Sequence, residues 1–82
     1  MFQCALVTTA LIAELRNRRR LPPPAMARAI RVAAGVSQAR LARELGVARL
    51  TVLRWESGRR RPRGRLADAY ADLLAQLRDA VA

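Results

Sequence analysis

The sequence predicts an all-α fold, and three observations carry that expectation. Apolar residues recur at three- and four-residue spacing, with no alternating stretch of strand length. Proline and glycine fall between the periodic stretches, where they punctuate helices. A chain of 82 residues with a single cysteine has room for one domain only, and it must gain stability from well-packed helices or from a partner's surface.

The first helix is expected within residues 1–21. Val7, Leu11 and Leu15 stand four residues apart with Thr8 and Ile12 alongside, giving one apolar stripe over about four turns before Asn17 to Arg20 turn to charge. Two placements satisfy that stripe: folding back on the body against Leu66 to Leu77, or pairing with its own copy in a homodimer. Leu21-Pro22-Pro23-Pro24 ends the helix, since each proline lacks an N–H donor and forces its predecessor toward extended geometry. A second helix starts at Pro24 and presents Met26, Ile30, Ala33 and Ala34 up to Gly35, a natural left-handed cap. Ser37 caps a third through Leu45, closed by Gly46, and a fourth runs from about Arg49 to Glu56 before Ser57-Gly58. Arg59-Arg60-Arg61-Pro62-Arg63-Gly64 reads as a basic loop. The last helix spans 65–81, with Leu66, Tyr70, Leu73, Leu77 and Val81 as its stripe.

Charge narrows the function. Sixteen basic residues, all arginine, stand against six acidic ones, for a net charge of +10. Such an excess attracts a polyanion, and nucleic acid is favoured over a membrane surface or an acidic protein. The lone Cys4 forms no internal disulfide, and without histidine or a second thiol no zinc set exists, so no metal or other cofactor is expected. Residues 2–13 lack the charged start and cleavage site of a signal peptide and are too short to span a bilayer, which suits the bacterial cytosol or nucleoid. The carboxylates Glu14, Glu44, Glu56, Asp68, Asp72 and Asp79 are scattered and Cys4 has no base, so an enzyme is not expected; no small-molecule ligand is evident either.

The spacing of Gln38, Leu41, Ala42, Leu45, Gly46, Val47, Val52 and Trp55, followed by Glu56-Ser57-Gly58 and Pro62, resembles the helix-turn-helix of the phage-repressor and Cro-like family, often called the XRE family. The physics of the positions agrees. Ala42 is small enough for close helix approach, Gly46 supplies the positive φ of the turn, and Leu41, Leu45, Val47, Val52 and Trp55 fill the wedge between helices. The resemblance is good over residues 29–62 and looser over the final helix. It implies a lambda-repressor-like domain with a helix-turn-helix core over 24–62 and a packing helix over 65–81; the additional helix over 1–21, read from its own apolar stripe, has no counterpart in the family and brings the single domain to five helices. It also implies an internal ion pair between Arg31 and Glu56.

The resemblance further implies sequence-specific binding of double-stranded DNA, with the second helix of the motif in the major groove and no chemistry performed. With Val52 and Trp55 turned to the core, about 100° per residue points Arg49, Leu50, Leu53 and Arg54 outward as base-reading positions. Arg49 and Arg54 suit guanine, whereas Leu50 either meets a thymine methyl or is merely tolerated. Gln38 and Thr51, together with Arg59, Arg60, Arg61 and Arg63, are the expected backbone contacts. Ala48 stands where the family usually shows serine or threonine, which leaves the recognition helix without a hydroxyl cap. Repressor dimers on two half-sites are the family habit, so a homodimer through the N-terminal or C-terminal helix is a candidate beside a monomer. Two other functions compete: an adaptor or antitoxin-like module whose outer helices bind a protein, and non-specific coating of nucleic acid.

Overall fold

The computed structural model describes residues 11–12 and 21–81. Within them the chain forms four helices: α1 (Pro24–Ala33), α2 (Gln38–Leu45), α3 (Arg49–Glu56) and α4 (Gly64–Val81). No strand occurs among the described residues. The additional helix expected over 1–21 lies outside them, apart from Leu11 and Ile12, which are helical and exposed, and Leu21.

Each boundary has a local cause. Pro24 opens α1, where its missing N–H and fixed φ cost nothing, and the Ala27 amide donates to the Pro23 carbonyl at 2.9 Å. Ser37 caps α2 by accepting the Arg40 amide at 3.1 Å on Oγ. Gly46 ends α2 at φ 70°, a conformation a side chain would disfavour, and its N–H satisfies carbonyls of the last turn. That reversal brings α3 back across α2. Ala48 precedes α3 in extended geometry but offers no side-chain cap.

Helices α2 and α3 pack on one another, and α4 lies mainly against α1 with a smaller contact to α2. The shared core is Ala27 from α1, Leu41 and Ala42 from α2, Val52 and Trp55 from α3, and Tyr70 and Leu74 from α4. Leu21, Ile30, Val36, Leu45, Val47, Leu73 and Leu77 cover its edges. The rings of Trp55 and Tyr70 meet at a centroid distance of 4.8 Å, tilted by 38°, within the usual range for a favourable aromatic pair.

Two expected stripes shift. On α1, Met26 and Ala33 are exposed, and the inward side is Ala27 and Arg31 flanked by Ile30 and Ala34. The sequence pattern followed the large apolar side chain, whereas the close approach of α1 to its neighbours admits a small one and an arginine with a partner. On α4, Leu66 and Val81 are exposed and burial centres on Tyr70, Ala71 and Leu74, with Leu73 and Leu77 partly covered. An 18-residue helix, about 27 Å long, overshoots the body it covers at both ends.

Candidate nucleic-acid interface

Helix α3 is divided lengthwise. Val52, Trp55 and Glu56 are buried, and Arg49, Leu50, Leu53 and Arg54 stand exposed on the opposite side, with Thr51 half-buried at their edge. Val52 has no exposure at all, so it fixes the rotation of the helix about its axis. Deleting most of such a side chain typically costs about 1 to 3 kcal/mol or more, which makes the outward direction of the four others a property of the core.

The far end of α3 is held by charge. Arg31 Nε donates to Glu56 Oε2 at 2.6 Å and Arg31 Nη2 to Glu56 Oε1 at 3.0 Å, a two-pronged pair linking α1 to α3. Arg31 Nη1 donates to the Val36 carbonyl at 2.8 Å, which also ties the segment before α2. The hydrogen bonds to Glu56 raise the Arg31 guanidinium further above its ordinary range, in spite of an opposing effect of burial. Gln38 Nε2 donates to Glu56 Oε1 at 3.1 Å. One carboxylate therefore ties the first residue of α2, the last of α3 and the buried arginine of α1 together. The link to Gln38 was not visible in the sequence, although Gln38 and Glu56 each were.

A shallow open groove lies over this network, lined by Arg28, Gln38, Arg49, Leu53 and Ser57. Arg28 was missed in the sequence; its only signal was its place one turn before Arg31. The groove joins the start of α2 to the exposed side of α3, so Gln38 and Arg49 share one surface. Arg59, Arg60, Arg61 and Arg63 are exposed in the connection that follows. The Arg54 carbonyl accepts from the Arg59 amide at 3.0 Å, the Arg60 amide at 3.3 Å and Ser57 Oγ at 3.1 Å, which folds the start of that basic loop against the end of α3.

Behind α3, the Tyr70 hydroxyl is buried without a hydrogen-bond partner among the described residues. Burial, with a smaller effect of the nearby Glu56 charge, pushes its pKa up to about 12. Among the described residues no group of acidic or cysteine side chains is placed to hold a metal ion, and no helix is long and apolar enough to cross a membrane.

No curated protein and no solved structure is similar enough to this chain to count as a match. A family model described as helix-turn-helix does match, over residues 28–76, which takes in the second half of α1, the whole of α2 and α3, and most of α4. The chain belongs to this helix-turn-helix family, the XRE type with the fold of Cro- and CI-like DNA-binding repressors.

Proposed function

We propose that the chain regulates transcription by occupying an operator, with α3 in the major groove. The observation that carries this is the division of α3: Arg49, Leu50, Leu53 and Arg54 stand free on one side while Val52, Trp55 and Glu56 anchor the other. Arg49 and Arg54 each pair with guanine through O6 and N7, contributing about 1 to 3 kcal/mol of discrimination per good contact. Gln38 meets a phosphate at the start of α2, where free backbone N–H groups favour an anion. Its bond to Glu56 holds the side chain at the groove, which lowers the ordering cost of that contact. Thr51, Arg59, Arg60, Arg61 and Arg63 grip the backbone on the flank.

Two copies meet on DNA with half-sites about 34 to 36 Å apart. The exposed Leu66 and Val81 at the ends of α4 offer one surface for that pairing, and the N-terminal segment, whose sequence carries an apolar stripe at Val7, Leu11 and Leu15, is the alternative. Sedimentation of the full chain with and without its operator decides between pairing in solution and pairing on DNA only.

Selection from random duplex DNA, followed by titration at several salt concentrations, tests the reading. A site preference that survives salt and is lost when Arg49 and Arg54 are both changed to alanine supports it. Each alanine among Arg59, Arg60, Arg61 and Arg63 should weaken all sequences alike and lower the salt slope by about 1. A preference retained without Arg49 and Arg54 sinks the groove assignment. Uniform binding of all sequences would leave only coating, and indifference to duplex DNA would favour the protein-adaptor role.

A further inference from the structure

Leucine is a costly residue to leave in water, and α3 leaves two. Leu50 is 51% exposed and Leu53 is 41% exposed, although Val52 and Trp55 already supply the buried side of the helix. Three residues apart, they stand together on one surface. Arginines flank both: Arg49 lies four residues before Leu53, and Leu50 four before Arg54. Each leucine therefore shares a helical column with a guanidinium, their Cβ atoms about 5 to 6 Å apart. Base pairs rise about 3.4 Å along the duplex, so one column spans one to two base steps.

Resting on the major-groove reading of this face, we propose that Leu50 and Leu53 recognise the C5-methyl group of a pyrimidine one or two base pairs from a guanine held by Arg54 or Arg49. Guanine O6 and N7 take the guanidinium, and the pyrimidine methyl is the apolar group that a base edge offers in the major groove. Its contact removes leucine surface from water, the one gain open to a side chain without a donor or acceptor. The methyl has two sources, thymine and 5-methylcytosine, which carry it on the same ring atom. The second source makes occupancy of a site containing a cytosine–guanine step depend on cytosine methylation, a regulatory input beyond operator sequence.

The experiment uses the full-length chain and a duplex selected from a randomised pool, titrated by fluorescence anisotropy. Each thymine is replaced in turn by deoxyuridine, and each cytosine beside a guanine by 5-methylcytosine. Loss of one contacted methyl weakens binding about fourfold, and that difference shrinks to less than twofold in Leu50→Ala or Leu53→Ala. Both side chains are exposed, and thermal melting checks that the variants keep the fold. A loss on thymine replacement alone assigns the methyl to thymine; a matching gain on cytosine methylation adds 5-methylcytosine as a ligand. Equal affinity of methylated and unmethylated forms at every position of a specifically bound duplex overturns this inference and leaves the groove reading standing. Absence of any sequence preference overturns both.

Discussion

Helices α2 and α3 are both eight residues long, and they are held in place by opposite means. Helix α2 carries its own instructions: Ser37 caps its start, Gly46 turns its end, and its buried residues, Leu41 and Ala42, fall on one side. Helix α3 has no side-chain cap and is apolar on both sides, with Val52 and Trp55 inward and Leu50 and Leu53 outward. Eight residues are too few to stand as a helix alone in water. Helix α3 therefore depends on what packs against it, namely the core beneath Val52 and Trp55 and the Arg31–Glu56 clamp at its last residue. A helix that keeps Arg49, Leu50, Leu53 and Arg54 on its outer side leaves little sequence for its own stability, and the tertiary structure makes up the difference.

The most severe way to break this arrangement is to remove one partner of the clamp. The two side chains are 10% and 2% exposed. Glu56→Gln or Arg31→Met should cost about 3 to 5 kcal/mol, since each leaves a buried charge or its partners uncompensated. Urea unfolding followed by Trp55 fluorescence measures this, as Trp55 is the one tryptophan of the chain. The double replacement Arg31→Met with Glu56→Leu should recover much of the loss in stability. Equal losses in the single and double variants would show that the pair acts through shape rather than charge.

Next in size is an alkaline effect at Tyr70, which packs on Trp55 from the other side. In the unfolded chain a tyrosine ionises near its ordinary value of about 10, while in the fold burial holds Tyr70 protonated up to about 12. Between those values the unfolded state binds fewer protons. The stability that is complete below pH 10 therefore falls as pH rises toward 12, by roughly 2 kcal/mol. Tyr70 is the only tyrosine, so tyrosinate absorbance of the native protein reads its titration directly. Tyr70→Phe should remove the alkaline step and, having no hydroxyl to bury unpaired, leave stability at neutral pH unchanged or about 1 kcal/mol higher.

The contrast between the two helices also decides how much was legible beforehand. The four helices, the Gly46 turn and the Ser37 cap are local events, written in residue types at fixed offsets, and the sequence displays them. The inward direction of Val52 and Trp55 follows from the helical period. Which apolar residue of α1 faces the core did not follow: Ala27 is buried instead of Met26, because interhelical distance decides it and is not a property of α1, whereas the inward Arg31 was expected from the family's ion pair with Glu56. The joining of Gln38 to Glu56, 18 residues apart, and the placing of Arg28 beside Arg49 were illegible for the same reason. Arg49 and Arg54 were legible as charge, while the groove that sets Arg49 beside Gln38 arises only when α2 crosses α3.

Exchanging the caps tests the comparison at about 1 kcal/mol in either direction. Ser37→Ala removes the acceptor of the Arg40 amide and should destabilise the fold by about that amount, and Ala48→Ser should stabilise it similarly by giving the first turn of α3 the acceptor it lacks. Thermal unfolding measures both. Hydrogen exchange should place the gain from Ala48→Ser in the amides of Leu50 and Thr51. If Ala48→Ser gives no gain, the first turn of α3 is already fully supported by its packing, and α3 is less exposed to fraying than its missing cap implies.

The smallest effect concerns the surface pair of α2, in which Arg40 Nε and Nη2 donate to Glu44 Oε1 at 3.0 and 2.8 Å. Its side chains are 60% and 50% exposed, so water screens the attraction. The order is also the poorer one, since arginine lies toward the positive end of the helix dipole and glutamate toward the negative end. Glu44→Gln should therefore change stability by less than about 0.3 kcal/mol, with the residue vanishing in 1 M salt. A loss as large as that from Ser37→Ala would mean that α2 draws its independence from this pair as much as from its cap. The expected near-zero result assigns that independence to Ser37 and Gly46, two residues that act on the backbone and leave Arg40 and Glu44 free of structural duty.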